Sequence, residues 1–153
     1  MNLLYSERNV CEVNIKIATS KEEQDKVFQI RKNVFVDEQH VPLAIEIDQH
    51  EDEAIHFMGM LDDVPMAASR LRWAGEYGKL ERICILKHLR GQSYGKQLIE
   101  AMEQTIQEYG YSKATLGAQT HAITFYERLG YHVVSEEFMD AGIPHVTMRK
   151  IFT

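Results

Sequence analysis

Between residues 79 and 118 the chain passes through an apolar strand pattern, a loop with two glycines, an amphipathic helix and a second short strand pattern. Two strands joined through a helix in this way lie parallel in one sheet, connected by a right-handed crossover. This one unit excludes both an all-helical bundle and a purely antiparallel sandwich. Its first strand is expected over 79–86. Leu98, Ile99, Met102 and Ile106 then share one helical face, Gly110 stands where a helix C′ glycine belongs, and the second strand covers 114–118.

Elsewhere the pattern is of hairpins. Val13, Ile15 and Ile17 alternate with Asn14 and Lys16, which predicts a strand. Ser20 and Glu23 have capping-box spacing, and Val27, Ile30 and Val34 recur at helical spacing, so a helix is expected over 21–35. Residues 37–53 are acidic and broken by Pro42, and are expected to be a solvated loop with at most a short helix. Strands over 54–61 and 64–73 flank a tight turn at Asp62-Asp63. A short helix over 122–129 ends at Gly130, with Phe125 and Leu129 expected inside, and 131–137 pairs with 145–151. The expected fold is α/β of the α+β kind: a mixed, mostly antiparallel sheet of six to seven strands with helices on both faces. Residues 1–11 show no period and are expected to be a tail, leaving one domain over 12–153.

Charge narrows the partners. Lys and Arg number 17 against 23 Asp and Glu, a net charge of −6, so nucleic acid is not an expected partner. The two cysteines, Cys11 and Cys84, are far apart, which suits a reducing, cytoplasmic location. No apolar run reaches the roughly 20 residues a membrane helix needs. His50 and His56 flank an acidic run without HExxH spacing, so no metal is expected.

Chemistry concentrates in two segments. In the first, Leu80-Glu81-Arg82-Ile83-Cys84-Ile85 leads through Arg90-Gly91-Gln92-Ser93-Tyr94-Gly95-Lys96 into the amphipathic helix. Outward N–H groups at such a turn, with the helix dipole behind them, form an anion cradle for a phosphate or pyrophosphate. Arg90 and Lys96 bracket it with positive charge. Neither the Walker pattern nor GxGxxG is present. An ordinary strand-to-helix loop with solvated cations explains this segment equally well. In the second segment, Gln119-Thr120-His121-Ala122-Ile123-Thr124-Phe125-Tyr126-Glu127-Arg128-Leu129-Gly130-Tyr131, a short core helix accounts for the apolar residues but leaves the Tyr126 hydroxyl in need of a partner.

Together the two segments resemble the GNAT acetyltransferase superfamily. Arg90-Gly91-Gln92-Ser93-Tyr94-Gly95 is similar to its motif Q/R-x-x-G-x-G/A, and Ala122, Tyr126, Gly130 and Tyr131 fit its A-x-x-x-Y-x-x-x-G-F/Y helix. Val34-Phe35-Val36-Asp37-Glu38-Gln39, Glu46-Ile47-Asp48 and Ala141-Gly142-Ile143-Pro144-His145 resemble the ElaA-like branch. Two positions depart from the pattern. Ser93 replaces the first motif glycine, and Gln119 stands where many relatives have asparagine.

The resemblance implies an N-acetyltransferase that uses acetyl-CoA on a primary amine, without metal or covalent enzyme intermediate. It implies that the two parallel strands splay around the pantetheine arm, with Ile83, Cys84 and Ile85 on the strand that the arm pairs with. The amides from Arg90 to Lys96 would hold the pyrophosphate, Gln119 would touch the arm, and Tyr126 would protonate the leaving thiolate. The amine needs a proton acceptor, for which Glu81 leads and His145 and His121 follow. A structural ion pair with Arg72 or Arg82 is the rival role for Glu81. Arg31 and Glu38 fall where relatives build the acceptor side, and homodimers are common among them. Two other readings stand beside this one: a non-catalytic acyl-CoA-binding module, and an acyl-homoserine-lactone synthase, whose Arg-x-x-x-Phe stretch Arg31 and Phe35 echo but whose chains are longer.

Overall fold

The computed structural model describes residues 13–153; the expected tail lies outside them. The chain forms β1 (Val13–Ile17), α1 (Lys21–Arg31), α2 (Leu43–Glu46), β2 (Ile55–Leu61), β3 (Val64–Ala74), β4 (Tyr77–Ile85), α3 (Tyr94–Glu108), β5 (Lys113–Gln119), α4 (Ile123–Arg128), β6 (His132–Val133), β7 (Phe138–Asp140) and β8 (Ile143–Ile151). The capping box at the start of α1 forms as expected. Ser20 Oγ accepts from the Glu23 N–H at 3.1 Å, and Glu23 Oε1 accepts from the Ser20 N–H at 3.2 Å. Instead of ending near residue 35, the helix continues as a π-helical segment, Lys32–Glu38, a wider coil that is often found at functional sites.

The strands form one sheet in the order β1-β2-β3-β4-β5-β8-β6, with β7 also paired to β8. Every neighbouring pair is antiparallel except β4 and β5. Eight strands are thus present among the described residues where six to seven were expected. The closing pair divides into the two-residue β6 and a β7–β8 hairpin. That hairpin turns at Ala141 and Gly142, both at positive φ. Asp62 and Asp63 also take positive φ, as a tight two-residue hairpin requires.

Helices cover both faces. Val27, Ile30 and Val34 pack with Ala18, Met58, Ala68 and Cys84 on one side. On the other, Leu98, Ile99, Met102 and Ile106 of α3 pack with Leu71, Leu80, Leu116 and Met148. Gly78 lets α3 approach β4 this closely, since a Cβ there would fall 2.5 Å from Ile106 Cγ1.

One irregularity falls where β4 and β5 stop pairing. In the β3–β4 ladder, Ser69 alone lies opposite both Arg82 and Ile83, a β-bulge, and Arg82 takes a φ of 55°. The extra residue swaps the faces of β4, so Leu80 faces α3 while Cys84 packs among the α1 residues. The parallel ladder pairs only Gly78, Lys79 and Leu80 with Ala114, Thr115 and Leu116. Just before the bulge, β4 and β5 part.

Candidate active site

Past Leu80 one edge of β4 has no strand partner among the described residues. The Leu86 N–H donates to the Met66 carbonyl at 3.0 Å, on the β3 side. All peptides there are trans, so the Ile85 carbonyl points the opposite way, toward the β5 side. By strand alternation the N–H and carbonyl groups of Ile83 and Ile85 lie along that edge. Cys84 is placed differently. It pairs with Ala68, and its thiol is buried against α1, donates to the Ala68 carbonyl at 3.7 Å and is pushed up to about 12 by burial.

The loop after β4 makes a short 3₁₀ turn, Lys87–Leu89, then brings Gly91 (φ 80°) and Ser93 (φ 67°) into the left-handed region before α3 begins. Ser93 is the N-cap of α3, but its hydroxyl makes no capping hydrogen bond. The first-turn N–H groups of α3 therefore project from the loop. The glycine that the motif normally carries at this point would suit the left-handed backbone Ser93 adopts. Lys96 is exposed on α3, 3.9 Å from Glu100.

Arg90 does not present a free charge to this loop. Its Nε donates to the Ile85 carbonyl at 2.9 Å, and its terminal nitrogens donate to the two Glu38 oxygens at 2.6 and 2.8 Å. The Arg90 hydrogen bonds hold the Glu38 carboxyl below its ordinary range. The next residue, Gln39, exchanges amide hydrogen bonds with Gln119 at the end of β5, at 3.1 and 3.5 Å, and Gln119 Oε1 also meets His121 Nε2 at 2.7 Å. Consecutive residues at the end of the π-helical segment thus reach both lips of the cleft.

The helix α4 reverses the expected burial. Phe125 is 38% exposed while Tyr126 is 9% exposed, in edge-on contact with the rings of Phe125 and Tyr131. Phe125 lies against the start of α3, where a Cβ on Gly95 would be 3.3 Å from its ring. Its hydroxyl makes no hydrogen bond among the described residues, and burial alone pushes it up to about 12. Tyr131 differs, donating to Glu103 Oε2 at 2.8 Å.

Glu81 makes a structural ion pair of the kind weighed against catalysis. It accepts from Arg70 Nε at 3.1 Å and from Arg72 at 2.6 and 3.0 Å. Burial works upward on this carboxyl, but the Arg72 hydrogen bonds and the Arg70 charge outweigh it and leave it below the usual range. Arg82 turns instead to Glu46 and Asp48. His145 is arranged quite differently. Its Nδ1 donates to the Ile143 carbonyl at 2.7 Å, so in the neutral ring Nε2 is the acceptor. The ring stacks on Phe138, and His145 stands opposite Gln119 at the open end of β5.

The acidic run after Pro42 is not a solvated loop. Arg31 is fully buried and donates to Glu46 at 2.9 and 3.0 Å and to Glu51 at 2.9 Å, while Arg70 donates to Asp48 at 2.7 and 3.1 Å. Burial pushes Asp48 and Glu51 upward. The Arg70 and Arg31 hydrogen bonds nevertheless hold both carboxyls down at about 2. Alternating arginines and carboxylates thereby pin α1, α2 and the following loop to β3 and β4. The sequence signal that could have shown this was the set of arginines on β3 and β4, which require buried counter-charges. No group of side chains suited to hold a metal ion occurs among the described residues, and no helix there is long and apolar enough to cross a membrane.

Comparison with known proteins matches residues 17–152 to the family model of the acetyltransferase (GNAT) domain. The uncharacterized N-acetyltransferase YjcF of Bacillus subtilis is 44% identical over 135 residues, covering 88% of this chain and 96% of YjcF. Protein ElaA of Escherichia coli is 31% identical over 129 residues, covering 81% and 84%. The crystal structure of an acyl-CoA N-acyltransferase from Pseudomonas aeruginosa superposes with a TM-score of 0.81 at 28% identity, covering 92% of this chain and 99% of that one.

Proposed function

Since the chain belongs to the GNAT acetyltransferase family, we propose that it moves an acetyl group from acetyl-CoA to a primary amine of a small molecule or peptide, by direct attack within a ternary complex. The observation that carries this reading is the interrupted β4–β5 ladder. A bare strand edge beside a loop of outward N–H groups fits an amide-bearing arm that ends in a pyrophosphate. The P. aeruginosa relative, an acyl-CoA N-acyltransferase by name, supports the same class of donor.

In this reading Ile83 and Ile85 pair with the pantetheine arm through their backbone, and the amides from Gly91 to Lys96 receive the pyrophosphate. Cys84 contributes only its place in the strand. The amine nitrogen attacks the thioester carbonyl carbon, the C–S bond breaks, and the nitrogen's proton passes to His145 Nε2. Tyr126 gives its hydroxyl proton to the leaving sulfur. Burial keeps Tyr126 protonated across the working pH range, so the donor is always loaded. Desolvation raises a thiol's pKa in the same direction as a phenol's, so a thiol leaving in the same surroundings keeps the gap near its reference size. Glu81, already shared by two arginines, serves the scaffold.

Acetyl-CoA is mixed with a panel of primary amines while free thiol is followed. Thiol release that depends on both an amine and the enzyme supports transfer. Saturable acetyl-CoA binding without release by any amine would favour the non-catalytic acyl-CoA-binding module.

A further inference from the structure

Arg90 stands exactly where the proposed coenzyme arm needs an open edge. Its Nε takes up the Ile85 carbonyl, and Glu38 holds the other end of the guanidinium through both carboxylate oxygens. One residue on, Gln39 crosses to Gln119 on the opposite lip. Glu38 and Gln39 both leave the end of the π-helical segment Lys32–Glu38, so a single turn of chain ties the β4 side to the β5 side. The segment itself is anchored to the molecule by the fully buried Arg31 immediately before it.

We propose that Glu38 is a positioning residue that latches Arg90 across the bare edge of β4, so that an incoming acyl-CoA arm pairs with Ile85 only by exchanging with Arg90. The inference rests on the acetyl-CoA reading above. The exchange is inexpensive because the latch is half-exposed, and such pairs contribute little in water. Arg90, once released from Ile85, lies at the start of the loop proposed for the pyrophosphate, where an arginine can pair with phosphate oxygens in the same two-pronged geometry it uses on Glu38. Gln39 and Gln119 exchange with each other only neutral amide hydrogen bonds, which pantetheine's own amide groups can replace in kind. The clasp thus couples the arrival of the coenzyme to release of the acceptor-side segment.

The test is Glu38→Gln, with the affinity for two probes measured by calorimetry or NMR titration: acetyl-CoA, and S-acetyl-pantetheine, which carries the arm without phosphates or charge. Loss of the latch should tighten both probes by about two- to fivefold, the worth of an exposed ion pair, with melting little changed. Tightening of acetyl-CoA alone would overturn the proposal, because removing a negative charge near the loop favours an anion whether or not a latch exists. Equal or weaker binding of both probes by the variant would overturn it too. Glu38→Asp, which keeps the charge but shortens the reach, should tighten the uncharged probe in the same way if Glu38→Gln does not fold. If neither wild type nor variant binds acetyl-CoA, the acetyl-CoA reading itself fails, an outcome distinct from wild type binding both probes as well as the variant does.

Discussion

At the scale of single residues, Tyr126 and Glu81 are two largely buried polar groups with very different partners. Tyr126 is buried as a residue and its hydroxyl has no hydrogen-bond partner among the described residues, yet the oxygen itself is not sealed from solvent, so water or a ligand can reach it. Tyr126→Phe keeps the ring contacts with Phe125 and Tyr131 and removes only the proton donor. Its kcat should fall by about 10²- to 10⁴-fold with acetyl-CoA affinity nearly unchanged, as single-turnover kinetics would measure. A loss of only a few-fold in that measurement would make water the proton source. Glu81 is fully engaged by arginines. Glu81→Gln should lower the melting temperature yet leave single-turnover kcat nearly unchanged, whereas His145→Gln should lower that rate by about 10²- to 10⁴-fold with acetyl-CoA affinity kept. A loss of that size in Glu81→Gln instead would return the base role to Glu81.

At the scale of elements, the cleft depends on how α3 and α4 meet the sheet. Gly95 lies under the edge of Phe125, an exposed ring with room to swing outward. Gly95→Val should therefore cost the fold little while weakening acetyl-CoA at least tenfold, because the β-branched side chain obstructs the backbone approach to the phosphates. Unchanged affinity in a calorimetric titration would put the phosphates elsewhere. Elements with a strong period were legible from the sequence: α1 from its cap and apolar spacing, α3 from Leu98, Ile99, Met102 and Ile106, and the β2–β3 turn from Asp62-Asp63. The parallel crossover was legible as well. The bulge at Arg82 was not, since a residue of ordinary chemistry takes positive φ there only because β3 offers one residue against two. Nor was the placement of Tyr126 inside and Phe125 outside, because a six-residue helix is too short for periodicity to fix its buried face. The pairing of Arg90 with Glu38 spans 52 positions, and no local pattern encodes it.

At the scale of the whole molecule, buried charges join α1 and α2 to β3 and β4. Removing one member leaves its partners buried and uncompensated, so Arg31→Met should cost roughly 3–5 kcal/mol by denaturant unfolding. A cost under 1 kcal/mol would mean that water reaches Glu46 and Glu51. The network also sets an acid limit. Asp48 and Glu51 are held at about 2, below the roughly 4 of an unfolded carboxylate, so the unfolded chain binds more protons in acid. Their contribution is complete above about pH 5 and is lost as pH falls toward 2. Thermal melts across that window should show the decline, and Glu51→Gln should flatten it.

The central claim, that the opening between β4 and β5 with its adjoining loop receives acetyl-CoA, is tested most directly by thermal denaturation with and without ligand. A ligand at 100 times its Kd stabilises the native state by about 2.7 kcal/mol, worth roughly 5–10 °C in a domain of this size. Acetyl-CoA should raise Tm by that order, and S-acetyl-pantetheine at the same concentration should raise it far less, because the loop contributes through the pyrophosphate. No shift with acetyl-CoA, or equal shifts with both compounds, would contradict the assignment.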